Sequence, residues 1–322
     1  MSSEVLRIGV DEAGYGPNLG PLVMSATACR VPPEHADADL WTLLAEGATR
    51  VRKGKPAQLL VDDSKKVYRS GQGLAELERT VLSIVAPDRP TTLGALVKRL
   101  GATMPPERWF HGDTALPHSA PLDKIDEGTD RFRGASEKAG IVWRPLRSRV
   151  VGIARFNEIV DRYDSKGAVL GLTLIELLRE VVEAEPTATD IRVVVDKHGG
   201  RNFYGPLLQE LSPDAWVVPR EEGMRSSVYD IRWPTPTGGE RRLTVAFRPE
   251  ADATSFEVAL ASVVSKYLRE LCMEEFNAFW RTQVPGIVAT AGYPVDAIRF
   301  IKEIRPSMDR LAVSMDSIWR KK

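Results

Sequence analysis

Two adjacent carboxylates that directly follow an apolar strand constrain this chain more than any other feature. Apolar and other residues alternate over 6–10, and Asp11 and Glu12 come next without a spacer. Neighbouring side chains in a strand point to opposite faces, so a tandem acidic pair suits the end of a strand, where the chain turns. Gly14 and Gly16 allow positive φ and the close approach of a ligand to the backbone. Taken alone, the stretch favours an ordinary strand that leads into a polar turn.

Composition excludes several classes of protein. The 322 residues are 43% hydrophobic and 27% charged, as in an ordinary globular protein with room for one large domain or two modest ones. Lys+Arg and Asp+Glu are equal at 44 each, so nucleic-acid binding requires a local basic patch. Cys29 and Cys272 lie in apolar surroundings without a CxxC partner, which favours buried thiols in a reducing compartment. No signal segment or membrane-spanning run is found, which predicts a cytoplasmic protein.

Hydrophobic periodicity predicts an α/β chain with one irregular insertion. Expected strands cover 5–11, 21–30, 148–156, 191–196 and 215–218, with a hairpin of 229–233 and 243–247. Expected helices cover 40–49, 74–84, 165–182, 204–211 and a long segment after a capping box at 254–257. Seven prolines and weak periodicity mark 87–145 as an insertion or lid in which short helices can be hidden. We therefore expect a core of 1–86 and 148–275, an insertion of 87–147 and a helical C-terminal subdomain of 276–322.

Two further acids stand at the ends of predicted elements. Asp196 ends a β-branched run, and Asp252 precedes the capped helix. Each has a structural alternative, since Asp196 suits a turn, Asp252 suits a helix dipole and Glu12 suits a surface. Together with Asp11 they form a set of oxygen ligands at the rim of a sheet, as Mg²⁺ or Mn²⁺ prefers. Two such ions about 3.5–4 Å apart can stabilise the attacking and leaving oxygens in phosphodiester cleavage.

The motifs resemble those of ribonuclease HII, the type 2 ribonuclease H family. Asp11-Glu-Ala-Gly-Tyr-Gly-Pro with the following Gly-Pro-Leu-Val is similar to the family's DEAGRGP..GP, and Asp63-Ser-Lys-Lys to its DSKK. Val195-Asp196 is similar to the VDG strand end. Asp252-Ala-Thr-Ser with the later Ser-Lys266 and Arg269-Glu is similar to GDAKS…AASIxAKxxRD. Ala291-Gly-Tyr293-Pro is similar to GYGT. These matches cover about 5–85 and 148–310, in order.

The resemblance implies an RNase H-like core, with a mixed five-stranded central sheet flanked by helices, and a helical C-terminal subdomain. It implies that Asp11, Glu12, Asp196 and Asp252 are the catalytic, metal-binding acids, with two Mg²⁺ or Mn²⁺ ions in the active complex. The implied activity is hydrolysis of RNA in RNA–DNA hybrids and nicking beside ribonucleotides in duplex DNA. The product ends would be a 3′-hydroxyl and a 5′-phosphate.

The same resemblance implies a set of substrate contacts. The glycine-rich turn would face a ribose 2′-hydroxyl, the group that distinguishes RNA from DNA. Tyr293 would pack on the neighbouring deoxyribose, and the DSKK residues would hold backbone phosphates. The alternatives are a half-buried aromatic and a solvated turn. The implied substrate-binding residues of these three elements are Gly14, Tyr15, Gly16, Ser64, Lys65, Lys66 and Tyr293.

Three departures from the family pattern affect the substrate contacts. Tyr15 replaces the arginine between the two glycines, which puts a preference for single ribonucleotides in doubt. Lys197, His198 and Arg201 follow Asp196, where they could grip phosphate or His198 could assist product departure, although ordinary loop chemistry is an equal alternative. The insertion is unusually long, and its basic and aromatic run 108–111 suits either single-strand binding or core packing.

The sequence thus predicts a metal-dependent endonuclease of the ribonuclease HII type that acts on RNA–DNA hybrids or ribonucleotide-containing duplex DNA. A second hypothesis is a divergent nuclease of the same fold that prefers DNA structures, and a third is a catalytically silent nucleic-acid-binding protein. No membrane partner is expected. The end of the sequence, 317–322, has no clear sliding-clamp motif, and protein partners stay open. The separate N-terminal domain of the related type 3 enzymes is not expected, because the acidic pair comes at residue 11.

Overall fold

The computed structural model describes residues 4–51, 57–68, 73–86, 88–234 and 239–322. Its strands are β1 (Val5–Ala13), β2 (Leu22–Val31), β3 (Ala48–Thr49), β4 (Leu59–Leu60), β5 (Val142–Trp143), β6 (Arg147–Val151), β7 (Asp190–Asp196), β8 (Trp216–Glu222), β9 (Ser227–Pro234) and β10 (Glu240–Arg248). Its helices are α1 (Leu40–Leu43), α2 (Ser64–Val67), α3 (Ala75–Ile84), α4 (Leu93–Arg99), α5 (Leu122–Lys138), α6 (Ile153–Tyr163), α7 (Lys166–Glu183), α8 (Gly205–Gln209), α9 (Phe256–Gln283) and α10 (Pro294–Arg310).

One mixed sheet organises the chain. Its strand order is β5-β2-β1-β7-β10-β9-β8, with β6 paired to β2 beside β5. The neighbours β1–β7 and β7–β10 are parallel, and the remaining pairs in this sheet are antiparallel. The predicted fold class, a mixed sheet flanked by helices, is confirmed. The sheet has eight strands within the described residues, where the family resemblance implied five.

Helices cover both faces of β1. Ile8 and Val10 point to the face packed by α7, where they join Leu174 in one apolar cluster. The other face meets α9 so closely at Gly9 that a Cβ there would lie 2.2 Å from the carbonyl carbon of Glu257. Only glycine permits this approach. The burial of apolar side chains on both sides holds β1 in the middle of the molecule.

The hairpin predicted from alternating residues is present. In the antiparallel pair β9–β10, Tyr229 lies opposite Val245 and Ile231 opposite Leu243. These side chains are buried on one face, as the period of two predicts. The turn expected at 237–240 lies partly outside the described residues, which exclude 235–238.

Three local predictions were wrong. The strand expected to reach residue 156 ends at Val151, because Ile153 begins α6. The capping box does not form, since Thr254 Oγ1 donates to the carbonyl of Ala251 at 3.3 Å and Glu257 pairs with Arg7 at 2.5 Å. The helix expected over 40–49 ends at Leu43, and Ala48–Thr49 forms the strand β3.

The segment 87–147 carries regular structure that the sequence did not predict in detail. It contributes α4, the 17-residue α5 and the short β5 at the edge of the sheet. Trp109 and Phe110 are 1% and 6% exposed, and the Trp109 ring meets Phe276 of α9 at 5.5 Å between centroids. Because both rings are buried, they are not available to stack on bases, and the core-packing interpretation of 108–111 fits the structure.

Cys29 and Cys272 are buried free thiols. Among the described residues, no helix is both long and apolar enough to span a bilayer.

Candidate active site

Asp11 and Glu12 lie near the end of β1, where the strand loses a neighbour. The antiparallel pairing with β2 continues to Ala13, but the parallel pairing with β7 stops at Val10. Beyond that point one edge of β1 is open, and both carboxylates reach the same cavity. Asp11 is 6% exposed, and Ser265 of α9 donates to its backbone carbonyl at 3.0 Å. Strand pairing and α9 therefore fix the acidic pair in place.

Asp196 and Asp252 arrive at this cavity from two neighbouring strands. Asp196 is the last residue of β7, and its Oδ1 accepts the backbone N–H of Ala251 at 2.8 Å. Ala251–Ala253 is a short 3-10 turn between β10 and α9, and it carries Asp252. The hydrogen bond ties the end of β7 to this turn, which brings two acids that are far apart in sequence to one edge of the sheet.

The cavity has a volume of about 310 Å³ and a predominantly acidic wall. The four predicted acids line it together with two that the sequence analysis did not select, Asp63 and Glu250. The carboxylates are accompanied by the side chains of Ser64, Lys65, Lys66 and Ser262. Among the described residues, six carboxylates and two lysines line this confined space, so negative charge is in excess there.

Burial and mutual repulsion act on the acids in the same direction. Burial, followed by the nearby Asp196, raises the pKa of Glu12 to about 7. Burial, followed by Asp63, raises the pKa of Asp252 to about 6. The pKa of Asp11 lies well above its usual range because of burial and of Glu12, and burial also raises that of Asp196. Folding holds these groups together at a free-energy cost that bound cations would offset.

The donor set fits a hard divalent cation in its chemistry. Carboxylate oxygens are the ligands that Mg²⁺ and Mn²⁺ prefer, and the cavity has no thiol or imidazole in its wall. Within the described residues, however, no three acidic, histidine or cysteine side chains are already arranged to ligate one ion. The acids share the cavity, and coordination of a common ion requires their side chains to rotate.

The segment Asp63–Lys66 forms the opposite wall of the cavity. Asp63 caps α2 by accepting the backbone N–H of Lys65 at 2.9 Å, and the hydroxyls of Ser262 and Ser64 lie 3.0 Å apart. Lys65 faces the acids, whose charges raise its pKa against the effect of burial. Lys66 Nζ lies 3.4 Å from Asp62 in an ion pair. Lys65 is therefore the cation directed at the acidic group.

The glycine-rich loop stands beside the acids and meets Tyr293. Gly14 has φ +94°, and a Cβ there would lie 2.5 Å from the guanidinium Nε of Arg269, so both its conformation and its surroundings require glycine. The backbone N–H of Asn18 donates to the carbonyl of Gly292 at 2.7 Å. This bond holds the Tyr293 ring next to Gly16, with 54% of the side chain exposed. Gly16 and Tyr293 thus form one exposed surface beside the acids.

The basic residues after Asp196 do not join the cavity wall. Lys197 is 8% exposed, and its Nζ donates to Asn202 Oδ1 at 2.7 Å and to the carbonyls of Gly223 and Met224. His198 is buried between aromatic rings, and burial lowers its pKa to about 3, so its imidazole is neutral. Arg201 stacks on Tyr204 and donates to the carbonyl of Phe203 at 3.0 Å. These side chains hold the local fold instead of reaching toward the acids.

The two additional acids of the cavity wall, Asp63 and Glu250, differ in how far the sequence marks them. Asp63 begins the DSKK stretch already selected for its serine and lysines, so its carboxylate could have been included. Glu250 stands two residues before Asp252 and adopts φ +53°. Its position in the cavity wall follows from the turn after β10, and no sequence pattern marks it.

No protein-family model matches the sequence, and no curated protein matches it. Several solved structures are similar in fold. RNase HII from Archaeoglobus fulgidus, solved in a complex with PCNA, has a TM-score of 0.47 at 14% identity over 98% of this chain and 94% of that chain. Ribonuclease H2 from Pyrococcus horikoshii has a TM-score of 0.46 at 14% identity over 97% of this chain and 92% of that chain.

A third similar structure, Bst-RNase HIII in complex with Mn²⁺, has a TM-score of 0.44 at 16% identity over 98% of this chain and 66% of that chain. Such identities do not carry residue roles from one chain to another, so the roles proposed below rest on the geometry of this site. An RNase HII, a ribonuclease H2 and an RNase HIII are thus among the solved structures to which this chain is similar in fold.

Proposed function

We propose that this protein is a divalent-metal-dependent endonuclease that hydrolyses the RNA strand of RNA–DNA hybrids and nicks beside ribonucleotides in duplex DNA. The observation that carries the proposal is the group of acids around one cavity at the sheet edge, where carboxylates outnumber lysines among the described residues of the wall. A purely structural site would pair or disperse these charges. A site that binds cations needs them together.

Asp11, Glu12, Asp196 and Asp252 are the residues that would hold Mg²⁺ or Mn²⁺, with Asp63 and Glu250 in the same wall. When bound, such ions supply a water of lowered pKa and stabilise the charge that develops on the leaving 3′-oxygen. Without a metal the pKa of Glu12 is raised to about 7 and that of Asp252 to about 6, and a bound cation would lower both and displace their protons.

The remaining residues of the site bind and orient the substrate. Lys65, which faces the acids, is positioned to attract the phosphate that would otherwise be repelled by them. The backbone of the exposed Gly16 is accessible to a ribose 2′-hydroxyl, because a Cβ there would meet only the Tyr293 ring, at 3.8 Å. The exposed Tyr293 ring beside Gly16 offers an apolar surface to the adjoining sugar.

No side-chain nucleophile is required. Ser64 and Ser262 are buried, and their hydroxyls lie 3.0 Å from each other. His198 is held neutral away from the cavity wall, so it does not act as an acid near neutral pH. The chain therefore contributes ligands, substrate contacts and orientation, and water supplies the attacking oxygen.

The test uses three duplexes of one sequence: an RNA–DNA hybrid, a DNA duplex with one ribonucleotide and an all-DNA duplex. Each is incubated with Mg²⁺ or Mn²⁺ and the products are resolved by length and end group. We expect cleavage of the first two to 3′-hydroxyl and 5′-phosphate ends, and none of the third. Equal cleavage of all three would favour a nuclease for DNA structures. Binding without cleavage under every metal condition would favour a silent binding protein.

A further inference from the structure

The ring of Tyr15 in the glycine-rich loop makes a cation–π contact with a lysine from a distant part of the chain. The Nζ of Lys166 lies 4.6 Å from the centroid of the Tyr15 ring. Lys166 is the first residue of α7, and both side chains are half-buried. Burial, followed by the nearby charge of Glu12, raises the pKa of Tyr15. Tyr15 thus connects the acidic cavity with a cation that is not part of its wall.

Lys166 has no carboxylate partner. Within the described residues it makes neither an ion pair nor a hydrogen bond, and the charged groups that act on it are Arg320 and Lys322. Burial and these two cations lower the pKa of Lys166. A cation is also disfavoured in the first turn of a helix, where the macrodipole is positive. The part of the chain that the structure describes therefore leaves the charge of Lys166 without a counter-ion.

Arg320 adds fixed positive charge under the same loop. It is 1% exposed, and its guanidinium donates to the carbonyls of Gly14, Pro17 and Gly20 and lies 4.8 Å from the Phe156 ring centroid. These neutral carbonyls accept hydrogen bonds from its Nη1 and Nη2 without cancelling its charge. Two cations from different parts of the chain, Lys166 and Arg320, thus contact the loop that follows the acidic pair.

We propose that Lys166 binds a backbone phosphate of the nucleic-acid strand that enters the acidic cavity. The inference rests on the proposed function, because it takes the occupant of the cavity to be a polyanionic strand. A lysine held over an aromatic ring still has donors to offer, and a phosphate oxygen is a strong acceptor for them. The contact would also offset the repulsion between the strand and the acids. It would do so beside Tyr15, which lies between the acidic cavity and Lys166.

The experiment measures the salt dependence of binding in the Asp11→Asn background, in which turnover is blocked. Fluorescently labelled RNA–DNA hybrid is titrated in EDTA over a series of NaCl concentrations, with and without Lys166→Met. Loss of one phosphate contact should lower the slope of log K against log[NaCl] by about 0.7–0.9 and weaken Kd roughly 3- to 10-fold at low salt.

Lys321 provides the matched control. It lies close in sequence to Arg320, but its Nζ pairs with Asp161 at 2.8 Å, so its charge is already balanced. Lys321→Met should leave the slope unchanged, and Lys166→Arg should restore most of it. Thermal unfolding of each variant checks that the fold is intact.

An unchanged slope in Lys166→Met, an equal decrease in Lys321→Met, or failure of the background protein to bind any duplex would each overturn the inference. Cleavage by the unmodified chain is assayed separately. A decreased slope in a protein that cleaves nothing would support the phosphate contact while rejecting the proposed nuclease.

Discussion

Two buried carboxylates in this molecule have opposite surroundings. Glu78 of α3 is fully buried, and its oxygens accept the hydroxyl of Tyr267 at 2.5 Å and the backbone N–H groups of residues 118–120 at 2.5–2.6 Å. Asp11 is almost equally buried, but Glu12 and Asp196 are among its neighbours and raise its pKa. Donors surround the Glu78 carboxylate, whereas the Asp11 carboxylate accepts the backbone N–H of Glu12 at 2.8 Å and has several acids close to it.

The difference separates a structural role from a functional one. A carboxylate with donors on both oxygens stabilises the segment that supplies those donors, here the part of the insertion that follows α4. A carboxylate placed among others of the same charge destabilises the protein until a cation or proton arrives. Burial alone does not distinguish these cases, whereas the identity of the neighbours does.

The largest expected effect is the loss of turnover in Asp11→Asn. The amide keeps the shape of the side chain but removes a negative charge from the proposed ion site, so cleavage of the hybrid should fall at least about 10³-fold. Thermal stability without metal should stay the same or increase. Rates are measured with saturating Mn²⁺ on the labelled hybrid. Retention of more than a tenth of the activity would remove Asp11 from the proposed ligand set.

The second prediction concerns Glu78→Gln, which should act on stability and not on chemistry. The amide NH₂ would oppose the donors of residues 118–120, and we expect a loss of about 3 kcal/mol in the free energy of unfolding. The measurement is urea denaturation, with cleavage rates compared at a temperature where both proteins are folded. If activity fell while stability did not, the two carboxylates would not differ in the way proposed.

The third prediction uses Glu12→Gln in metal-free protein. Folding raises the pKa of Glu12 from 4.5 to about 7, so the folded protein holds the Glu12 proton more tightly than the unfolded chain does. This contribution to stability is fully present below pH 4.5 and is lost as the pH rises through about 7. Well above pH 7, ionised Glu12 therefore destabilises the fold, and glutamine should raise stability by about 2 kcal/mol. The gain should shrink as the pH falls toward 4.5.

Differential scanning fluorimetry in EDTA across this pH range measures the effect. Adding Mn²⁺ should raise the melting temperature of the unmodified protein more than that of Glu12→Gln. Equal metal-induced shifts in the two proteins would show that Glu12 does not take part in cation binding.

The sequence predicted the parts of the fold in which one periodicity decides burial. The alternation in β9 and β10 and the apolar stripe of α7 each bury one face, so the pattern and the structure agree. The acids at 11, 12, 196 and 252 could be selected because strand ends and a turn bring them to one edge of the sheet. Their roles as ligands stay a prediction.

Features that depend on distant partners could not be predicted in this way. Glu78 is a polar residue in an amphipathic helix, and only the return of the chain at 118–120 reveals that it is buried. Lys197 looks available for phosphate in the sequence, but the turn between β8 and β9 supplies carbonyls that occupy its Nζ. The Lys166–Tyr15 contact joins segments about 150 residues apart that no local pattern relates.

The smallest expected effect extends the comparison to two tyrosines. Tyr267 is buried with its hydroxyl on Glu78, whereas Tyr293 is 54% exposed beside Gly16. Tyr293→Ala should therefore leave stability within about 0.5 kcal/mol of the unmodified protein. It should lower kcat/KM for the hybrid roughly 5- to 10-fold, since a sugar or base packed on an aromatic ring contributes about 1–3 kcal/mol. Tyr293→Phe keeps the ring and should keep most of the activity. If alanine and phenylalanine had the same effect, the hydroxyl and not the ring surface would be the group that contacts the substrate.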